Sequence, residues 1–268
     1  MRGCGRVAGK RGTMDDQELY RALETAFVST FLGELIPGII HNFANPLNGI
    51  MGRGQIMRRR FDQLSAKLEQ SSPQTIVSQE ELFRKLSTDI DEINRECDRF
   101  YNMFQDISGK FHSMDTHDCG KFSLYQLLVL ELRFADYYLA FKHQVKKELQ
   151  LDENIPPVAG NYAACALCIW AILRQAMQDM QDVGDKRLLV KTRQHQDAAE
   201  VRFEYPVASG SPAGREEAGR EAIFRSSPAV EGQEQIWTLA AALLRTMGAE
   251  IAVEEREGWR HLSVKLKY

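Results

Sequence analysis

The sequence predicts an α plus α+β protein in which a long antiparallel helical hairpin precedes an α/β sandwich. Apolar residues recur at spacings of three and four through residues 15–107, which indicates amphipathic helices. Later segments alternate apolar and polar residues and are separated by apolar helical runs. We therefore predict a flexible leader at 1–14, a helical domain at 15–112, a linker at 113–122 and a sandwich at 123–268.

The hairpin is predicted from two helical stretches and the turn between them. The first stretch spans residues 15–70, and its apolar positions include Leu19, Leu23, Phe27, Phe31, Leu35 and Ile39. The turn falls on "SSPQTIVS" (71–78), where Ser78 and Glu81 form a capping-box pattern for a second helix that ends near Gly109. Because each apolar stripe is too narrow for a lone hairpin, we predict a homodimeric four-helix bundle.

The second half predicts one layer of helices on one layer of sheet. Helices are expected at 123–141, 161–181 and 233–247, the last ended by Gly248. A short strand is expected within "VKKELQLDENIPPVAG". The segments "KRLLVKTRQ" and "AEVRFEYPV" alternate like adjacent antiparallel strands, and "EIAVEEREG" with "WRHLSVKLKY" is typical of a hairpin.

Composition excludes several classes of partner and compartment. The net charge is −3, so no basic field favours nucleic acid. The longest apolar run, "FSLYQLLVLEL", is far short of the roughly 20 residues that span a bilayer, so no membrane span is expected. Five scattered cysteines favour a reducing, cytoplasmic setting.

No metal site is predicted. The cysteines of "CALC" at 165–168 lie in an apolar helical run, so buried thiols are favoured over a redox or zinc pair. The histidines and cysteine of "HSMDTHDC", His112, His117 and Cys119, match no standard ligand spacing.

The segment "HNFANPLNGI" at 41–50 holds the candidate reactive residue, His41. A phosphoryl acceptor needs an unprotonated nitrogen at neutral pH, and imidazole, with an ordinary pKa of about 6.5, offers one. The apolar stripe predicts that His41 faces outward, with Asn45 one turn along on the same face. Pro46 removes the helical hydrogen bond back to residue 42. The alternative for His41 is a plain solvated helix residue, and Asn42 and Asn45 could be simple surface amides.

This segment resembles the phosphoacceptor box of two-component sensor histidine kinases at His41, Asn42, Asn45, Pro46, Leu47 and Ile50. The resemblance covers residues 15–268 and implies a GHKL-type ATP-binding domain in the second half, with a response regulator receiver domain as partner. The family usually has an acid after the histidine, positioned to act as a base. Asn42 stands there, and an amide can orient the ring but cannot accept its proton.

The nucleotide-binding boxes implied by the resemblance are degenerate. Gln175, Gln178 and Asp179 stand where the family has asparagines that help hold magnesium and phosphates. The loop "VASGSPAG" has Gly210 but no aspartate for adenine, and "EGQEQIW" has a single glycine, Gly232. We therefore expect no firmly bound cofactor, with ATP binding lost and magnesium supplied by the response regulator.

Three hypotheses remain at this point. The preferred one is a histidine phosphotransferase with a pseudo-kinase domain, in which His41 exchanges a phosphoryl group with a response regulator aspartate. The second is a divergent but active ATP-dependent sensor kinase. The third is a non-enzymatic dimeric scaffold that docks a receiver domain and leaves His41 silent.

Overall fold

The computed structural model describes residues 15–68, 73–114, 119–208 and 234–268. The helices are α1 (Asp16–Thr30), α2 (Ile36–Leu68), α3 (Pro73–Met114), α4 (Leu124–Ala135), α5 (Leu139–Gln144), α6 (Tyr162–Asp179) and α7 (Glu234–Thr246). The strands are β1 (Cys119–Phe122), β2 (Lys146–Gln150), β3 (Val158–Asn161), β4 (Arg187–Gln194), β5 (Ala198–Pro206), β6 (Glu250–Arg256) and β7 (Trp259–Lys267). The predicted leader at 1–14 lies outside the described residues.

The helices α1 and α2 form one continuous rod joined by a π turn, Phe31–Leu35. Asp15 begins the rod with a capping box, because its side chain accepts from the Gln17 amide while Glu18 accepts from the Asp15 amide. Pro37 lies two residues after the last residue of the π turn, Leu35, and has no N–H to donate to an earlier carbonyl. The predicted first helix is therefore confirmed, with one irregular turn inside it.

The α3 helix is longer at both ends than predicted. It begins at Pro73, so the turn predicted for 71–78 is wrong from 73 onward and Ser78 lies inside the helix. Proline suits the first helical turn, where its missing N–H costs nothing. The end predicted near Gly109 is also wrong, because the helix continues to Met114 and Gly109 faces the Leu130 side chain of α4.

A buried aspartate joins the two helices of the hairpin. Asp89 on α3 is 1% exposed and accepts from Arg53 and Arg60 of α2 at 3.3 Å and 2.5 Å. Opposite charges hold this end of the hairpin in register, where the apolar contact is small and consists of Leu64, Leu82 and Leu86 with Met57.

The sandwich has a five-stranded sheet in the order β2-β4-β5-β7-β6, in which only β2 and β4 are parallel. The predicted pairs β4–β5 and β6–β7 are antiparallel, as expected, and Gly248 follows α7 at a φ of +76°. The predicted helix at 123–141 is wrong in its extent, since α4 ends at Ala135 and α5 begins at Leu139. Part of the segment predicted as a linker, Cys119–Phe122, is a strand paired with β3.

The rod and the sandwich share one hydrophobic core. Leu23, Phe27 and Leu35 of the rod are fully buried among side chains of α4, α6 and α7. We expected these positions to pack within the helical bundle. The predicted order of a helical hairpin and an α/β sandwich is confirmed, while the dimeric bundle stays a prediction.

One helical stretch among the described residues, Asp16–Ala66, is long and apolar enough to cross a membrane by length and composition. Core helices of soluble proteins meet the same criterion. About a third of its most apolar window, 33%, is buried within the protein. The shared core therefore accounts for part of its apolar character.

Candidate functional site

The structure places His41 on an exposed face of α2. His41 and Asn45 are exposed, while Asn42 and Pro46 are buried, so the one-turn relation expected between His41 and Asn45 holds. The helix continues through Pro46 without interruption. Because proline has no amide hydrogen, the Asn42 carbonyl lacks its usual partner four residues on.

Asn42 contacts the sandwich. Asn42 is only 4% exposed, and its side-chain Oδ1 accepts a hydrogen bond from Lys142 Nζ of α5 at 2.8 Å. The alternative of a simple surface amide is wrong for Asn42. Its amide oxygen is bound to a cation from the second half of the chain.

A seam of mainly apolar residues runs along the exposed side of α3. Its positions follow a four-three repeat and are all exposed in the single chain: Phe83, Ser87, Ile90, Asn94, Cys97, Tyr101, Phe104 and Ser108. The repeat ends at Phe111, whose ring lies 4.8 Å from the Phe31 ring of the rod. Tyr101 is 61% exposed and Phe83 is 57% exposed. On α2, Ile40, Leu47 and Met51 form a similar exposed row. A heptad repeat of this kind is typical of a helix that packs against another helix.

Two residues predicted to stand at the nucleotide-binding box, Gln175 and Asp179, bind each other. Asp179 Oδ1 accepts from Gln175 Nε2 at 2.9 Å, and its Oδ2 accepts from the Tyr205 hydroxyl at 3.0 Å. Arg260 forms ion pairs with both Asp179 and Glu255. The carboxylate that could have served a magnesium ion is thus held by the protein's own cation.

The electrostatics of this cluster follow from its burial. Burial and the Asp179 carboxylate raise the pKa of the Tyr205 hydroxyl far above its usual range. Burial alone would lower the pKa of Arg260, but Tyr205, Asp179 and Glu255 outweigh it and raise that pKa. The cluster therefore keeps a fixed guanidinium charge and a neutral phenol.

Two glycines of the degenerate loops, Gly210 and Gly232, lie outside the described residues, as does His117. Within the described part of the chain, no group of three or more His, Cys, Asp or Glu side chains could hold a metal ion. Cys165 and Cys168 are buried, as expected for structural thiols, and the pKa of Cys165 is raised to about 12, chiefly by burial.

Sequence reasoning missed the cations that organise this region. Lys142 and Arg260 gave no signal, because their partners lie 100 and 81 residues away. Arg174 had a visible signal, since it is one charge inside the apolar run "CIWAILRQA" of a buried helix. A buried arginine requires a partner, and Glu34 supplies it.

A scan against protein-family models finds no match, and no curated protein matches the sequence. Solved structures with a similar fold include the histidine kinase AdeS of Acinetobacter baumannii, 13% identical over 78% of this chain and 95% of that chain, with a TM-score of 0.43. A histidine kinase from Burkholderia phymatum is 11% identical over 83% of this chain and 97% of that chain, with a TM-score of 0.43. The catalytic domain of the histidine kinase ThkA is 13% identical over 56% of this chain and 97% of that chain, with a TM-score of 0.45.

Proposed function

We propose that this protein is a histidine phosphotransferase of a two-component system. His41 accepts a phosphoryl group from the aspartyl phosphate of a response regulator receiver domain and returns it to a receiver aspartate. The observation that carries this proposal is the contrast between its two halves. His41 is exposed on a helix whose adjacent face contacts the sandwich, while Asp179, at the predicted nucleotide box, is paired with Arg260.

The transfer step requires few chemical groups from this chain. The His41 imidazole nitrogen attacks the phosphorus, the bond between phosphorus and the receiver carboxylate breaks, and the aspartate leaves as a carboxylate. The phosphorylated ring then loses its extra proton to solvent. Magnesium and the acidic residues belong to the receiver, so the protein has only to present a nucleophile in fixed geometry.

The dimeric bundle belongs to the same proposal. The four-three repeat on α3 presents aromatic side chains that a single chain leaves in water, and a second copy would cover them. The proposed partners are therefore a second copy of the chain and a receiver domain. We place the protein in the cytoplasm, where both would meet it.

Transfer of labelled phosphate from a phosphorylated receiver domain tests the proposal. The wild-type protein should acquire acid-labile, base-stable label, and His41→Ala should acquire none. His143→Ala is the matched control, because His143 is also exposed but lies on α5. Label on the His41→Ala protein would contradict the proposal.

The same assay separates the two alternatives. An active kinase would label itself from magnesium ATP without a receiver, whereas we expect no such label. A silent scaffold would bind the receiver equally well as wild type or His41→Ala, with no phosphohistidine in either.

A further inference from the structure

Three residues spaced four apart on the rod contact the sandwich: Glu34, Gly38 and Asn42. Residues at this spacing share one face of a helix. That face lies beside the His41 face and directs these residues to α6, to the segment that links α4 to α5, and to α5.

The first contact is a two-pronged ion pair. Arg174 Nη1 and Nη2 of α6 donate to the two Glu34 oxygens at 2.5 Å and 2.7 Å. The Arg174 side chain is 7% exposed and that of Glu34 is 49% exposed, so the pair lies at the edge of the shared core. Parallel bonds between guanidinium and carboxylate fix orientation as well as distance.

The second contact is a close approach of two backbones. A Cβ atom on Gly38 would overlap the Tyr137 carbonyl oxygen, so only glycine fits there. The hydroxyl of Tyr137 donates to the Met103 carbonyl of α3 at 2.9 Å. One residue between α4 and α5 therefore touches both helices of the hairpin.

The third contact is the bond from Lys142 to Asn42. It anchors the residue whose main-chain carbonyl Pro46 leaves without a helical partner. The His41 segment lies between two irregular places in the rod, the π turn Phe31–Leu35 and Pro46. These three contacts thus fall within or between the π turn and Pro46.

We propose that the sandwich is a fixed brace for the phosphoacceptor helix, with Lys142 and Arg174 as positioning residues for His41. Asn42 serves this brace and takes no proton from His41. The brace rests on contacts alone, whereas its effect on His41 rests on the proposed function. The pseudo-kinase domain would then have a structural use that does not depend on ATP.

Hydrogen exchange of full-length Lys142→Met tests the brace without any phosphate chemistry. We expect amides in residues 36–46 to exchange at least about tenfold faster, the factor for a lost bond to a charged donor. Lys142→Arg should restore slow exchange. Lys146→Met is the matched control, because Lys146 is an exposed lysine that pairs with Asp185.

Glu34→Gln tests the ion pair with Arg174, at a site that is half-exposed. Unchanged exchange in both Lys142→Met and Glu34→Gln would overturn the brace.

Phosphotransfer kinetics then test its effect on His41. Lys142→Met should lower kcat about tenfold and leave KM for the phosphorylated receiver within about twofold, since the same lost bond loosens the helix without altering the receiver contacts. An unchanged kcat would overturn the positioning role. If the wild type takes no label while exchange still responds to Lys142→Met, the proposed function fails and the brace stands.

Asn42→Asp distinguishes the brace from a proton acceptor. Aspartate keeps an oxygen for Lys142, so slow exchange and transfer from the receiver should persist, without labelling from ATP. ATP-dependent label on this variant would show that the nucleotide site still works once an acid stands at position 42, and would overturn the proposal that the sandwich acts without ATP. Fast exchange in this variant would overturn the assignment of Asn42 to the brace.

Discussion

At the scale of single residues, two polar side chains for which the resemblance implies a chemical role are instead bound to other residues of the protein. Asn42 is bound to Lys142, and Asp179 is bound to Arg260, Tyr205 and Gln175. In both places a cation from a distant segment binds the side chain to which the resemblance would assign a chemical role. His41 stays exposed on the rod, as the proposed phosphotransfer requires.

Arg260→Met tests the structural role of the Asp179 cluster. The substitution leaves the Asp179 and Glu255 carboxylates without their shared guanidinium, in a site where Arg260 is 3% exposed. We expect a loss of about 3 kcal/mol in the free energy of unfolding, because breaking a buried pair leaves charge uncompensated. Urea unfolding measures it, with Arg256→Met, an exposed arginine on β6, as the control. A loss below about 1 kcal/mol would contradict the buried pair.

The thiols of α6 make a second prediction at this scale. Because burial raises the pKa of Cys165 to about 12, its thiolate fraction falls to about one in ten thousand at pH 8. Cys168 is buried beside it, and burial raises its pKa as well. Iodoacetamide should therefore modify the exposed Cys119 in the folded protein and reach Cys165 and Cys168 only in denaturant. Peptide mass mapping resolves each site, and rapid native labelling of Cys165 would contradict its burial.

At the scale of elements, the seam on α3 carries the dimer prediction. Tyr101→Glu places a charge at a heptad position that is 61% exposed in the single chain, so the monomer should keep its fold. A buried charge in the seam of the dimer is costly, so the dimer should bind less tightly and its Kd should rise by about tenfold or more. Sedimentation velocity measures it, with Asn102→Glu, exposed one position off the seam, as the control. An unchanged Kd would move the interface away from α3.

The order of elements could be predicted from the sequence, because strand and helix periodicity are local properties. The antiparallel pair β4–β5 and the glycine after α7 followed from local sequence patterns. The ends of α3 did not, because Ser78 was expected to cap this helix and Gly109 to end it, whereas both lie inside it. Gly109 lies against Leu130 of α4, a contact that periodicity cannot show.

The candidate site, too, could be predicted only where the signal is local in the sequence. The exposure of His41 followed from the helical stripe, whereas the partner of Asn42 lies 100 residues away and had no pattern to reveal it. The prediction that the apolar stripe of α1 is buried is confirmed, but the expectation that the helical bundle covers it is wrong. Amphipathicity indicates that a face is buried but does not identify the surface that covers it.

At the scale of the whole molecule, one buried ion pair joins the hairpin to the sandwich. Lys110 of α3 and Glu131 of α4 are 0% and 1% exposed, and Lys110 Nζ donates to both Glu131 oxygens at 2.8 Å and 2.9 Å. The ammonium also lies 5.1 Å from the centre of the Phe27 ring of α1. Burial lowers the pKa of Lys110 and raises that of Glu131, which reflects the cost of removing both charges from water.

This pair predicts that the hairpin and the sandwich unfold together. Glu131→Gln leaves a buried ammonium with a weaker acceptor, so we expect it to lower the free energy of unfolding by about 3 kcal/mol. The double variant Lys110→Met with Glu131→Leu removes both charges and should lower the free energy of unfolding far less. Urea unfolding followed separately by helix circular dichroism and by tryptophan fluorescence should give coincident midpoints, which shift together in Glu131→Gln. Trp170 reports on the sandwich, where it donates to the Tyr138 hydroxyl at 3.0 Å. Separate midpoints would show that the two halves are independent domains, and the shared core would then not hold the His41 helix in place. Coincident midpoints are the thermodynamic condition for a brace, because a sandwich that unfolded alone could not restrain the rod.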